Sequence, residues 1–348
     1  MSNVMRFFEC DCGGKLFFHN TSCVACQRDV GFCPSCRSMT ALDPSGGDTV
    51  QCSCTGCRST IVKCKNYAFE KVCNWCVTTD SDGQNELCRS CELTSVIPDL
   101  SVEGNKQRWA KLEEAKRRML YTLDLLNLSF DSQNGQLPLS FEFKGDPIVG
   151  HNWHHLAGGG QVFTGHANGV ITINIQEADS VQREQTRIQM GEDLRTLVGH
   201  FRHEIGHYYW ERLVAGRSES EFVSLFGDHT NPGYAEAKDA YYANGPAVDW
   251  EQHYVTKYAS MHPWEDFAET FAAYQDIISM LDTAGHVGLI EPVDLTAQTS
   301  SLISTYQRLG MAVNELNREM GLLDPVPFVL TGAINQKVDF IHALVRGA

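Results

Sequence analysis

The sequence lacks long apolar runs, an excess of basic residues and, over most of its length, cysteine. No stretch approaches the roughly 18 consecutive apolar residues of a membrane-spanning helix, and the opening residues MSNVMRFFEC do not have the pattern of a signal peptide. The chain carries 28 Lys and Arg against 43 Asp and Glu, for a formal net charge of −15, whereas a nucleic-acid-binding surface is normally basic. We therefore expect a cytoplasmic protein with no membrane partner and no nucleic-acid partner.

All 14 cysteines lie between Cys10 and Cys91. This asymmetry predicts a cysteine-rich region over residues 1–98, a connecting helix within 99–130 and a second domain over 131–348. In a chain without a secretion signal, cysteines at this density are more typical of thiolates that bind zinc than of disulfides.

The cysteines recur in close pairs, C-x-C or C-x-x-C, and two pairs provide the four thiolates of a tetrahedral structural zinc site with no position left for water. Chain order predicts two to three such sites. The ligands are Cys10, Cys12, Cys23 and Cys26; then Cys33 and Cys36 with two of Cys52, Cys54 and Cys57; then Cys64, Cys88 and Cys91 with one of Cys73 and Cys76. We take Cys52, Cys57 and Cys73 as the working choice, although spacing alone does not separate them from Cys54 and Cys76. A region this short would need its metals to fold.

Apolar periodicity predicts the regular elements outside the cysteine pairs. A helix that starts near Asn105 carries apolar residues at spacings of three and four, namely Trp109, Leu112, Ala115, Met119, Leu123 and Leu126. Residues 139–143, 161–165 and 169–175 are β-prone, and the last of these alternates strictly, with Ile171, Ile173 and Ile175 on one face. The strand over residues 169–175 precedes the histidine-rich segment 199–210, and an extended peptide could pair with the edge of such a strand.

The stretch GHFRHEIGHYYW, residues 199–210, contains His203, Glu204 and His207 as H-E-x-x-H. On a helix this spacing puts two imidazoles one turn apart with a carboxylate beside them, the pattern of a zinc hydrolase. The apolar stripe Leu194, Leu197, Val198, Phe201, Ile205 and Tyr208 predicts that helix, and Gly191, Glu192 and Asp193 favour its start. We interpret His200 as a buried core residue.

A catalytic zinc site needs a third protein ligand. The metzincin pattern is excluded because position 213, where its third His would stand, is Leu. In HPWEDFAETFAAY, residues 262–274, Pro263 suits a first helical position, and Glu265 and Glu269 then share one face. We predict Glu265 as the ligand and Glu269 as the carboxylate that orients an imidazole. His229 is the competing third ligand.

Together these segments resemble a bacterial family of zinc-binding metallopeptidases that begin with a zinc-ribbon region. The resemblance covers the cysteine pairs, CRSCELTSVIPDL (88–100), TGHANGVITINIQEAD (164–179), RTLVGHFRHEIGHYYW (195–210), HPWEDFAETFAAY and LNREMGLLDPVPFVL (316–330). It implies an α+β protein in which rubredoxin-like zinc-ribbon modules precede a mainly helical zincin-type domain with a small antiparallel sheet. His166 and Asp228 fall in family-like segments and are expected to line a cleft.

The site is also similar to gluzincins of the anthrax lethal factor type, in which a Glu of an E-x-F-A-E helix is the third ligand and a Tyr seven residues earlier faces the metal-bound oxygen. Glu265 heads EDFAE, and Tyr258 stands seven residues before it. This similarity implies one catalytic zinc held by His203, His207 and Glu265, with Glu204 as general base and Tyr258 as a hydrogen-bond donor.

The expected activity is therefore zinc-dependent hydrolysis of a protein or peptide, with the ribbons serving stability or docking. Two alternatives stay open. One is an inactive zinc-binding interaction module. The other is a DNA-associated zinc peptidase, against which the acidic charge argues.

Overall fold

The computed structural model describes residues 8–79, 86–131, 137–145, 162–190, 192, 194–326 and 330–347. The chain divides into two compact units: Met1–Leu120, Ser140–Phe163 and Thr172–Asp179 form the first, and Tyr121–Leu139, Thr164–Ile171 and Ser180–Ala348 form the second. The domain boundaries at residues 98 and 130 stay a prediction. Gln161, Gly191 and Asp193, which entered the strand and helix predictions, lie outside the described residues.

Short strands joined by tight turns make up the cysteine-rich part of the first unit. Two strands, β1 (Phe8–Glu9) and β2 (Lys15–Leu16), form a hairpin. A separate five-stranded sheet contains β3 (Val30–Cys33), β4 (Ser38–Gly46), β5 (Thr49–Cys52), β6 (Thr60–Lys63) and β7 (Cys76–Thr78). All five strands of the sheet are antiparallel and lie in chain order, with Val30 opposite Ala41 and Ile61 opposite Thr78. A π-helix over Asn66–Glu70 separates β6 from β7.

The remaining elements of the first unit surround a buried polar network. They are α1 (Arg89–Glu92), β8 (Thr94–Val96), the part of α2 (Asn105–Leu125) up to Leu120, β9 (Ser140–Lys144), the end of β11 (Val170–Asn174) and a 3-10 turn over Ile175–Ala178. Strand β8 pairs with β9 in parallel. Lys116 of α2 is fully buried; it hydrogen bonds to Thr94 and forms an ion pair with Glu113. This network pairs the buried charges, which would otherwise carry a large desolvation cost.

Two predicted elements have the expected pattern. Helix α2 starts at Asn105, and its periodic residues Trp109, Leu112, Ala115, Met119 and Leu123 are buried, whereas Leu126 lies beyond its end at Leu125 and is only half-buried. In β11, Ile171 and Ile173 are both fully buried, as alternation requires. The turn before β11 places Asn168 and Gly169 at φ of 50° and 80°, as hairpin turns with Asn-Gly favour. The predicted α+β class is confirmed.

The second unit is mainly helical. Its elements are β10 (Gly165–Ala167), α3 (Ser180–Met190), α4 (Leu197–Leu213), α5 (Glu219–Phe226), α6 (Tyr234–Asn244), α7 (Trp250–His253), α8 (Pro263–His286), α9 (Thr299–Glu319) and α10 (Gly332–Gly347), with a 3-10 turn over Tyr258–Met261. Helix α8 is central and packs against α4, α9 and α10. Among the described residues, no helix is both long and apolar enough to cross a membrane.

Helices α4 and α8 carry the residues of interest, and their starts have local causes. Helix α4 does not begin near Glu192 as predicted; it begins at Leu197, because the Thr196 hydroxyl accepts a hydrogen bond from the Gly199 amide and caps the first turn. The predicted apolar stripe therefore fails at Leu194, which is 48% exposed. Helix α8 begins at Pro263 as predicted, and the His262 ring accepts a hydrogen bond from the Trp264 amide.

Candidate metal centres

Twelve of the 14 cysteines form three groups of four. In each group the sulfur atoms all lie within 4.8 Å of one another. The first group is Cys10, Cys12, Cys23 and Cys26, the second Cys33, Cys36, Cys52 and Cys57, and the third Cys64, Cys73, Cys88 and Cys91. These are the predicted groupings, and the packing selects Cys52, Cys57 and Cys73 over Cys54 and Cys76.

The sulfur–sulfur distances fit a tetrahedral metal and exclude disulfides. Pairs such as Cys10–Cys26, Cys36–Cys52 and Cys73–Cys88 are separated by 3.8, 3.8 and 3.7 Å. Four sulfurs about 2.3 Å from one zinc ion lie about 3.8 Å apart at tetrahedral angles, whereas a disulfide joins its sulfurs at about 2.05 Å. The cysteine groups therefore have the size of four-thiolate zinc sites.

Three of the cysteine-containing turns have the same backbone conformation and the same hydrogen bond. The residue after the second cysteine of a C-x-x-C pair has a left-handed conformation, with φ of 61° at Gln27, 52° at Arg37 and 53° at Arg58. In each turn the amide of that residue donates a hydrogen bond to the carbonyl of the first cysteine. Cys54 thus contributes its backbone to the third of these turns, while its sulfur lies outside the group of four.

The three groups differ in burial and in the cations beside them. In the first, Cys12 is exposed, and Arg28 donates to the sulfurs of Cys26 and Cys10 at 3.4 and 3.5 Å. In the third, all four cysteines are buried, and the buried Arg117 stands nearby with its guanidinium donating to the Val72 carbonyl. Burial opposes the charge of Arg117, but the negative charges of Cys73, Glu113, Cys88 and Cys91 raise its pKa. Four thiolates around a divalent ion carry a net negative charge that these cations balance.

A fourth centre lies between α4 and α8. The Nε2 atoms of His203 and His207 are 3.1 Å apart, and Oε2 of Glu265 lies 3.1 Å from the first and 3.4 Å from the second. Nitrogen or oxygen ligands about 2.0–2.1 Å from a tetrahedral zinc ion lie roughly 3.3–3.4 Å apart. The three ligand atoms therefore converge at the spacing that one zinc ion requires.

A glycine permits this convergence. Gly206 lies between the two histidines, and a Cβ atom there would stand 2.8 Å from the Ala268 Cα and 3.0 Å from its carbonyl oxygen. Only glycine allows α8 to approach α4 this closely at this position. The H-E-x-x-H pattern thus contains the residue that brings the third ligand to the other two.

Neighbouring side chains hold the ligands in place. His203 Nδ1 lies 2.6 Å from Glu269 Oε1, as predicted for an orienting carboxylate. The Trp264 ring lies over His207, with ring centroids 3.7 Å apart. The Tyr234 hydroxyl donates to Glu265 Oε1 at 2.8 Å. Sequence reasoning missed both Trp264 and Tyr234. Tyr234 is 31 residues from Glu265 and carries no local signal, whereas Trp264 adjoins a predicted ligand.

Three carboxylates, Glu204, Glu265 and Glu269, give the centre an excess of negative charge. Among the described residues, their ion pairs within 4.0 Å are with the two histidines and include no lysine or arginine. Burial opposes a charge on His203, but the hydrogen bonds with Glu265 and Glu269 raise its pKa well above the usual range. Burial raises the pKa of Glu204, whose Oε2 has no hydrogen-bond partner in the described part of the chain. This donor set attracts a cation and suits a divalent metal.

Tyr258 lies near this centre, with its ring 6.1 Å from that of His203 and 5.9 Å from that of Tyr241. The competing ligand, His229, does not join the group; its ring packs against Trp210 and Phe222. His200 lies on α4 and is half-buried, so it is not the fully buried core residue of our interpretation, and desolvation lowers its pKa well below the usual value.

The two family-like residues His166 and Asp228 have different surroundings. The His166 side chain is buried; its Nε2 accepts from the Gly169 amide, and its Nδ1 lies 3.7 Å from Glu211 Oε1. Asp228 accepts hydrogen bonds from the amide and hydroxyl of Thr230. Neither belongs to the group of three ligand atoms.

Comparison with known proteins decides the family. The profile of the family described as "Putative zinc-binding metallo-peptidase" matches residues 105–344, and that of a zinc-ribbon domain matches residues 7–102. The chain belongs to this metallopeptidase family. The resemblance predicted from the sequence is thereby confirmed for the ribbon region and for the metallopeptidase region.

The chain aligns with relatives over nearly its whole length. It is 38% identical over 353 aligned positions to the uncharacterized protein Rv2568c of Mycobacterium tuberculosis, and the alignment covers 98% of this chain and 95% of the relative. The uncharacterized protein Mb2598c of Mycobacterium bovis is similar to the same extent. No solved structure matches the chain.

Proposed function

We propose that His203, His207 and Glu265 bind one zinc ion, and that this centre hydrolyses peptide bonds of a protein or peptide substrate. The observation that carries the proposal is the convergence of two imidazole nitrogens and one carboxylate oxygen within 3.4 Å, from helices α4 and α8. A glutamate as third ligand on a second helix is the gluzincin arrangement.

Zinc bound by three protein ligands supplies Lewis-acid polarisation of a carbonyl and lowers the pKa of a water in its open position. Glu204, one residue after His203, accepts the proton of the attacking water and returns it to the leaving amine. Its Oε2, which has no partner among the described residues, is available for this transfer. The hydroxyl of Tyr258 donates a hydrogen bond to the oxygen on which charge develops. Strand β10, at the edge of its sheet and packed against α4, offers a backbone for an extended substrate to pair with.

The three cysteine groups are proposed to bind structural zinc, because four thiolates leave no position for water. This adds three ions to the catalytic one, so that the chain binds four. Their role is to hold the short strands of the first unit, which depend on the metals in place of a large core. Docking of a protein substrate on this region, the cytoplasmic location and the absence of a nucleic-acid partner stay predictions.

Cleavage profiling of a proteome-derived peptide library tests the hydrolytic role. The wild type is compared with Glu204→Gln, which removes the base and keeps the side-chain size, and with Glu236→Gln, which changes an exposed carboxylate on α6. We expect cuts by the wild type and by Glu236→Gln, a loss of at least about 100-fold in Glu204→Gln, and four zinc ions in all three proteins.

Equal cleavage by Glu204→Gln and wild type would refute the assignment of the base. If none of the three proteins cut any peptide while all bound four zinc ions, hydrolysis would be rejected in favour of the alternative, a zinc-binding interaction protein. A zinc content unchanged by His203→Ala would reject the metal centre itself.

A further inference from the structure

The two carboxylate oxygens of Glu265 have different surroundings. Oε2 is buried and lies 3.1 Å from Nε2 of His203 and 3.4 Å from Nε2 of His207. Oε1 accepts a hydrogen bond of 2.8 Å from the hydroxyl of Tyr234. The side chain of Glu265 is only 2% exposed, so solvent does not compete for either oxygen. One oxygen is thus directed toward the metal position and the other is held by a tyrosine.

We propose that Tyr234 is a positioning residue that confines Glu265 to a single ligand oxygen. A carboxylate can bind a metal through one oxygen or through both. A charge-assisted hydrogen bond from a phenol to Oε1 favours the arrangement in which Oε2 alone is the ligand. This inference rests on the metal centre of the proposed function.

The consequence concerns the open coordination position. A catalytic zinc site keeps three protein ligands and one position for water or substrate. If Glu265 turned to present both oxygens, Oε1 would compete for that position. Tyr234 therefore preserves the vacancy that hydrolysis needs, and does so through Glu265 without touching the reacting atoms.

The Tyr234 ring has neighbours that place it independently of its hydroxyl. It packs edge-on against His262 and Trp264, with ring centroids 5.4 and 5.7 Å away. Trp264 in turn covers His207. Because these are ring contacts, Tyr234→Phe should leave the ring in place and remove the interactions of its hydroxyl, which are with Glu265 Oε1 and with the Tyr258 side chain. The ring is 37% exposed, so the substitution does not create a cavity in the core.

Tyr242→Phe is the matched control. Tyr242 lies two turns further along α6, is 53% exposed and makes no hydrogen bond to a ligand residue in the described structure. The full-length protein is treated with a chelator under conditions that remove only the metal of the three-ligand site, which has one protein ligand fewer than the cysteine groups, and cobalt(II) is then bound there with zinc retained in the cysteine groups. The absence of thiolate-to-cobalt charge transfer verifies selective loading. The visible absorption of cobalt(II) reports its coordination number, since intensity falls as that number rises.

We expect Tyr234→Phe to lower the visible cobalt absorption at least about two-fold and to weaken zinc binding by about 10- to 100-fold, the usual effect of losing a partner of a metal ligand. Tyr242→Phe should change neither. A cobalt spectrum of Tyr234→Phe identical to that of the wild type would overturn the proposal, whatever happens to peptide cleavage.

The two proposals fail in different ways. If His203→Ala bound as much cobalt after chelation as the wild type, the metal centre would be absent and both proposals would fall. If the wild type bound cobalt but cut no peptide, hydrolysis alone would fall, because the spectrum still tests how Glu265 binds the ion.

Discussion

Replacing Gly206 by alanine tests whether the contact between α4 and α8 builds the metal centre. The new Cβ would lie 2.8 Å from the Ala268 Cα, 3.0 Å from its oxygen and 3.3 Å from its carbonyl carbon. Carbon atoms in contact are ordinarily about 3.5–4.0 Å apart, so the helices must separate locally by roughly 0.7 Å or deform. The obstacle is backbone, which cannot rotate away as a side chain can.

Two effects of different size follow from this displacement. Overpacking of this kind costs about 1–3 kcal/mol of the free energy of unfolding. Metal–ligand distances tolerate only about 0.2 Å, so a shift of roughly 0.7 Å in the helix that carries Glu265 should affect zinc binding more severely than folding. We therefore expect Gly206→Ala to remain folded and to lose one of four zinc ions, or to bind it at least about 100-fold more weakly, since that ratio corresponds to about 2.8 kcal/mol.

The assays are denaturant unfolding, zinc content and competition with a chromogenic chelator. Gly199→Ala, one helical turn before His203, is the control, because its Cβ would meet no backbone and only the Thr196 hydroxyl, at 3.0 Å, so that any strain falls on the cap of α4 and not on its contact with α8. Zinc affinity in Gly206→Ala equal to that in Gly199→Ala would refute the idea that close approach at Gly206 is needed. Loss of all four ions would indicate general unfolding and would also contradict it.

Two further predictions concern charges in the second unit. The buried Lys337 donates to Asp266 Oδ2 at 2.6 Å and to the His253 carbonyl at 2.7 Å, so Lys337→Met should lower the free energy of unfolding by about 3–5 kcal/mol. In urea denaturation, adding Asp266→Asn to Lys337→Met should restore part of this loss. Additive effects of the two substitutions on the free energy of unfolding would contradict the pairing. Burial and, to a smaller extent, the charge of His207 lower the pKa of His166 to about 4, whereas a histidine in the unfolded chain titrates at about 6.5. Because the pKa is lower in the folded state, the stability that depends on neutral His166 is complete above about pH 6.5. It is lost as the pH falls toward about 4. His166→Phe should therefore show a shallower loss over that interval in denaturant melts of protein from which only the metal of the His203, His207 and Glu265 site has been removed, and an unchanged slope would count against it.

Much of the candidate site could be predicted because its signals are local. The spacing of His203 and His207 is that of one helical turn, and the C-x-x-C spacing is that of one metal-binding turn, so each can be recognised within a few residues. Strand β11 and the start of helix α2 could be predicted for the same reason. The alternation at Ile171 and Ile173 and the helix beginning at Asn105 are patterns of residues close together in the chain. The predicted start of α4 was wrong because Thr196, and not Glu192, provides the capping hydroxyl.

The sequence alone therefore determined the family, the α+β class, the cysteine pairs and the two helices that carry His203, His207 and Glu265. Only the tertiary structure placed Cys52 and not Cys54, and Cys73 and not Cys76, within the groups of four sulfurs, and Glu265 and not His229 beside the two imidazoles. It also brought Tyr234 to Glu265. The physical reason is that spacing along the chain governs which side chains share a helical face or a turn, whereas convergence of distant residues depends on how closely the backbones can pack. At Gly206 the absence of a Cβ atom permits the close packing of α4 and α8.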